Sequence, residues 1–140
     1  MSAPLHLIKL CVGAEGPADL AAWQAQRFGD APARHVTRMW PRREAELLAG
    51  GSIYWVFKGV LLARQRLLSL DRQEGEDGIV RCALVLDRQL VPVTAVPRRP
   101  FQGWRYLDDR DAPPDLPAMR GSEEPLPAAI AAALAEMGLR

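Results

Sequence analysis

The segment SIYWVFK, residues 52–58, constrains the fold more than any other stretch of the chain. Side chains alternate across a strand, so Ile53, Trp55 and Phe57 share one face while Tyr54, Val56 and Lys58 share the other. Both faces are largely apolar, which predicts a strand at least half buried on each side. Gly50 and Gly51 precede it and end a short helix, PRREAELLA (residues 41–49), whose start is pre-set by Pro41. After it comes GVLLARQRLLSLDR, which is rich in helix formers yet nearly contiguous with a strand, and leads into a turn-like EGEDG and a further strand, IVRCALVLD. We read residues 60–71 as strand.

The flanking segments extend the same pattern. A strand over residues 5–11 closes at Gly13 and Gly16. PADLAAWQAQRF then places Leu20, Trp23, Gln24 and Phe28 at helical spacing before Gly29 stops it. Trp23 is expected to pack this helix onto the sheet. A second strand, HVTRMW, ends at Trp40, because Pro41 holds the preceding residue out of the helical region. In LVPVTAVPRRPFQGWRY, Pro92, Pro97 and Pro100 cannot donate ladder hydrogen bonds, so an edge strand followed by a loop is expected. Near the C-terminus, Leu126, Ile130, Leu134 and Met137 form one helical stripe. The resulting expectation is an α+β fold: a small mixed, mostly antiparallel sheet or pseudobarrel with two short helices and a C-terminal helix. It is read as one domain over residues 1–140, with a core at 1–112, a connector at 113–124 and a docked helix at 125–138.

Composition narrows the function classes. A chain of 140 residues with 49% hydrophobic and 25% charged residues is long enough for one sizeable core. The net charge of +1 makes the whole-molecule field uninformative, so any electrostatic argument rests on distribution. The N-terminus lacks the pattern of a signal peptide and no apolar run is long enough to cross a bilayer, so a cytoplasmic location without membrane contact is expected. Cys11 and Cys82, both placed in strands, read as buried free thiols.

Signatures of catalysis are sparse. No P-loop motif is present, and the turn VGAEG carries an acidic Glu15 where phosphate would sit. His6 and His35 are the only histidines, the cysteines lack C-x-x-C spacing, and no zinc site or cofactor is implied. Ser52 follows a helix and opens a strand, the reverse of a nucleophile elbow, and reads as a turn residue. Asp108, Asp109 and Asp111 are placed in a solvated loop.

Two basic and aromatic clusters stand out. In TRMWPRRE, Arg42 and Arg43 occupy the first turn of the predicted helix, where a cation is disfavoured by about 0.3–1 kcal/mol. With Arg38 on the preceding strand they would gather an anion beside free helical N–H groups, and Trp40 would offer a face to a base. The alternative is that Glu46 neutralises Arg42 or Arg43 one turn on. In PRRPFQGWRY, Arg98, Arg99 and Arg105 lie among Phe101, Trp104 and Tyr106, a mixture suited to single-stranded nucleic acid, to a protein contact, or to a plug closing the core. Arg64 and Arg66 would extend the positive surface if their face is open.

The segments LHLIKLCVGAE, HVTRMWPRREAELLAGGSIYWVFKGVLLARQRLL, CALVLD and RRPFQGWRYL resemble an uncharacterised bacterial family, DUF1489, over nearly the whole chain. That resemblance implies no activity and no functional residues. The order of elements is also similar to that of PUA and ASCH domains, pseudobarrels that often bind RNA or modified bases, which implies function only by analogy. The leading expectation is a non-catalytic module binding RNA, a nucleotide or another anionic ligand. Phosphates would meet Arg38, Arg42, Arg43, Arg98, Arg99 and Arg105, with Trp40 or Trp104 stacking on a base. A protein-interaction or homodimer module using Trp104, and an enzyme acting on a phosphorylated small molecule, are the alternatives.

Overall fold

A computed structural model describes residues 4–116. The predicted C-terminal helix at 125–138 lies outside them, as does most of the connector. In chain order the elements are β1 (Leu5–Leu10), α1 (Pro17–Phe28), β2 (Ala33–Thr37), α2 (Glu44–Leu48), β3 (Ser52–Phe57), β4 (Val60–Glu74), β5 (Val80–Leu86), β6 (Val91–Pro97) and β7 (Trp104–Asp108). The seven strands form one sheet ordered β2-β5-β4-β3-β1-β7, with β6 also paired to β4. Among these pairs β1–β3 is parallel and the others are antiparallel, a mixed α+β architecture as expected.

Strand β3 is buried along its whole length, and its two faces define two cores. Ile53, Trp55 and Phe57 join Leu5, Leu7, Leu20 and Leu47 on the inner face, beneath both helices. Tyr54 and Val56 join Ile8, Leu61, Val93 and Leu107 on the outer face. A two-residue turn at Lys58 (φ 47°) and Gly59 (φ 85°) links β3 to β4. Positive φ at both central residues matches the twist of a tight hairpin, so the next segment is committed to a strand despite its helix formers. Residues 60–71 are therefore strand, within a longer β4. Strands β5 and β6 act as one interrupted partner for it: Val80–Leu86 pairs with its second half and Val91–Pro97 with its first, residues 87–90 looping out between. The prolines of β6 are accommodated because its outer edge is covered by the following chain, through Thr94 N–H to Pro114 C=O (2.9 Å) and Leu116 N–H to Pro92 C=O (3.0 Å).

The sheet is open but strongly curled. β2 and β3 are separated by β5 and β4, three strand spacings or about 14 Å in a flat sheet. Yet the His35 ring on β2 lies 5.4 Å from the Trp55 ring on β3, edge to face. Beyond β2, the chain reaches the opposite edge of the sheet, where the Trp104 indole N–H on β7 donates to the Met39 carbonyl (3.0 Å).

Several local expectations change. Helix α2 begins at Glu44, so Arg43 is its N-cap, Arg42 precedes it, and the first turn carries Glu44 and Glu46, which suit the positive end of the helix. β2 ends at Thr37 rather than Trp40. Cys11 lies one residue beyond β1 and is half-buried, while Cys82 is buried within β5. Trp23 does not dock α1: it is 49% exposed, and Leu20 and Gln24 face the sheet instead. Ser52 is fully buried as the first residue of β3. Asp109 is no ordinary loop carboxylate, since it accepts a hydrogen bond from Nε2 of the buried His6 (2.8 Å). Nδ1 of that ring accepts from the Ser52 N–H (3.0 Å), which fixes the tautomer.

Gly51 is the joint between α2 and the sheet. Its N–H donates to the Leu47 carbonyl (2.8 Å), and a Cβ at this position would fall 2.1 Å from the Leu5 carbonyl oxygen and 2.5 Å from that of Leu47. Both obstacles are backbone, so neither yields by a rotamer change. Gly51→Ala is expected to cost roughly 2–4 kcal/mol of stability, read as a lower urea midpoint with an unchanged slope.

Candidate functional site

The two clusters touch at β7 through their rings, Trp104 against Met39 and Tyr106 against Arg42 and Arg43, while Arg105 faces the other way and no single cleft gathers the arginines. Trp104 is only 7% exposed and belongs to the inner core, so the ring expected to stack on a base or anchor a partner is enclosed instead. Its neighbour Tyr106, 5.0 Å away edge to face, accepts hydrogen bonds at Oη from the N–H groups of Arg42 (2.9 Å) and Arg43 (3.2 Å). The backbone donors expected to hold an anion are thus satisfied within the chain. Arg43 pairs with Glu46, as the neutralised alternative required, and stacks its guanidinium 5.6 Å from the Tyr106 ring. The Trp40 ring is partly exposed, with its indole N–H on Glu44 (3.2 Å). Arg38, Arg42 and Arg99 are exposed. Arg105 lies on the opposite sheet face from Trp104 and Tyr106, over Phe101 (5.3 Å). Arg64 does not extend a positive surface, because Asp115 accepts from both its Nε and a terminal nitrogen (2.7 Å each).

A more enclosed site lies elsewhere, between the end of β1, α1 and β2. It is a cavity of about 470 Å³ whose lining includes Lys9, Cys11, Trp23, Gln24, His35 and Trp55. Strand alternation produces its central feature. Leu5 and Leu7 point into the inner core, so Lys9 points the same way, and register sets it between Trp55 on β3 and Trp104 on β7. No carboxylate among the described residues pairs with this lysine. The sequence reading missed it, although a lysine in phase with two core leucines was a signal open to inspection. Trp23, with the Arg27 guanidinium 5.4 Å over its ring and Phe28 edge to face at 6.0 Å, and Val12, 90% exposed, are apolar side chains at the rim.

The back wall is a fixed polar network. Gln65, fully buried on β4, accepts from the Trp55 indole N–H (2.9 Å) and donates to the Asp87 carbonyl (2.9 Å). Those two partners allow one orientation of its amide. The reciprocal pair with Gln24 follows, Gln24 Nε2 to Gln65 Oε1 at 3.0 Å and Gln65 Nε2 to Gln24 Oε1 at 2.7 Å. Gln24 therefore borders the cavity with a defined amide and with one N–H left over after the contact with Gln65.

Burial tunes the ionisable groups here. Desolvation lowers the Lys9 pKa, partly offset by the nearby Cys11, and raises that of the Cys11 thiol to about 11, so the thiol stays protonated at neutral pH. His35 is pushed down to about 4, first by desolvation and then by the positive charge of Lys9. The folded state therefore binds fewer protons at this ring than the unfolded chain does between pH 6.5 and 4, and stability falls as the pH drops through that window. From pH 7.5 to 5 this group is expected to withdraw about 2 kcal/mol. His35→Phe should flatten that portion of a urea-denaturation series across pH. An unchanged slope would show that the ring is freely protonated in the fold.

No curated protein and no solved structure matches the chain. Residues 7–140 do match a family described as "Protein of unknown function (DUF1489)", a span that takes in the strand carrying Lys9, the helix carrying Gln24 and the curled sheet that encloses both. The chain belongs to the DUF1489 family.

Proposed function

We propose that this chain is a non-catalytic binding module for a nucleotide or an RNA strand, with the cavity at the end of β1 as the seat of a flat, anionic ligand. The observation that carries the reading is Lys9, a half-buried cation flanked by tryptophans with no carboxylate partner among the described residues. Desolvating a cation is costly, and a bound phosphate would offset that cost. Trp23 and His35 supply ring faces and edges within reach of a base, and Gln24 supplies an oriented amide. The size agrees with small-ligand sites, which span several hundred cubic ångströms. Chain direction adds a second support: β7 starts beside Lys9, so the loop before Trp104, with the exposed Arg99, arrives at the same end of the sheet. The PUA- and ASCH-like order of elements expected from the sequence supports the reading by analogy alone.

A second reading, an enzyme acting on a phosphorylated small molecule, is favoured by one feature: His35, held neutral, shares the cavity with Lys9. Turnover would separate it from a binding module, as a new phosphorus resonance when candidate phosphate esters are incubated with the protein.

The test of the binding reading is tryptophan fluorescence during titration with mononucleotides and short single-stranded RNA at low ionic strength. Saturable, salt-dependent quenching is expected, with at least a tenfold loss of affinity in Lys9→Met. Absence of salt-dependent binding to any of these ligands would sink the proposal.

A further inference from the structure

Arg98 carries the one buried side-chain polar atom without a hydrogen-bond partner among the described residues, its Nε. Elsewhere the chain satisfies such groups with care, as the Gln24–Gln65–Trp55 network and the His6 ring show. A guanidinium N–H removed from water without an acceptor is costly, and such sites persist where something external supplies the acceptor. Arg98 and Arg105 are among the arginines that form no ion pair within the described residues, and only Arg98 among them has a shielded N–H without an acceptor.

The fold places these two arginines at one corner. The Arg98 N–H donates to the Gly59 carbonyl at the β3–β4 turn (2.8 Å), which pins the residue where β6 ends. Val96, two residues earlier, and Phe101, three residues later, both pack against the outer core of Ile8, Val56 and Leu107. Arg105 shares the face of Leu107 and lays its guanidinium 5.3 Å from the Phe101 ring. Phe101 thus carries one stacked cation and follows the unsatisfied one by three residues, on the sheet face opposite to the one Lys9 occupies.

We propose that Arg98 and Arg105 form a phosphate seat, and that its natural occupant is a backbone phosphate of an RNA strand rather than a free phosphate or a mononucleotide. The choice of a strand rests on the reading of the Lys9 cavity as a nucleotide site, because one ligand reaching both faces of the sheet end must be longer than a single nucleotide. The seat itself stands on Arg98 alone.

Nitrogen-15 NMR of the full chain resolves the two halves of the claim, since a shielded arginine shows its Nε–H directly. Inorganic phosphate, uridine monophosphate and a pentauridylate are titrated in turn. Arg98 and Arg105 Nε–H resonances are expected to move saturably with phosphate and with the pentamer, at far lower concentration with the pentamer. Arg98→Gln is expected to weaken pentamer binding several-fold and to reduce its salt slope by about one, while leaving affinity for uridine monophosphate unchanged. If neither phosphate nor the pentamer moves the Arg98 resonance, the seat does not exist. Movement with phosphate but not with the pentamer overturns the strand as occupant. Movement with the pentamer in a protein whose Lys9→Met variant binds it equally well supports the seat and removes the cavity from the account.

Discussion

Burial of β3 on both faces is the constraint on which the remaining architecture depends. A strand with Ile53, Trp55 and Phe57 on one side and Tyr54 and Val56 on the other can be stable only with cover above and below. Helices α1 and α2 cover the inner face. The outer face has no α-helix among the described residues, and its cover comes from β6, the loop through Phe101 and the chain at 109–115. That asymmetry explains why so many prolines are tolerated after residue 90: the segment is a lid over apolar side chains as much as a member of the ladder.

The inner core is held at its open end by polar contacts instead of oil. Gln65 could not sit fully buried without the Trp55 indole, the Asp87 carbonyl and Gln24 around it, and each of those partners lies on a different element or loop. Removing one member would leave several buried groups unpaired, which is why such networks specify a unique arrangement more strongly than apolar contacts do. Here the network fixes how far α1 stands from the sheet, and so fixes the width of the cavity that Lys9 enters.

What was legible in the sequence was local. The alternation in β3, the glycine pair after α2, the proline-marked edge strand and the Arg43–Glu46 pair all depend on residues within a few positions of one another. What was not legible depended on distant partners. Trp23 and Gln24 sit side by side on α1, and hydrophobicity alone favours burying the tryptophan; the glutamine is buried because Gln65, 41 positions away, completes its hydrogen bonds. Trp104 looks like an exposed loop ring until the curl of the sheet brings Met39 to it across 65 positions. Likewise the anion site imagined at α2 is filled by the hydroxyl of Tyr106, a residue that no local pattern connects to Arg42. Lys9 is the exception: its phase with Leu5 and Leu7 was visible, and only the habit of assigning lysines to solvent hid it.

The pairing of β1 with β7 carries a consequence for how the chain reaches this state. Leu5 lies opposite Asp108, and Lys9 opposite Trp104, so the second edge of β1 is closed only by a strand about a hundred residues further along the chain. The β4 hairpin with β5 can zip from its own turn, whereas β1 must be recruited to β3 against the loop entropy of about 45 residues before β7 can close its other edge. Shortening the chain ahead of Trp104 would therefore expose one flank of Lys9 and leave a bare strand edge, the feature through which partly made sheets adhere to one another.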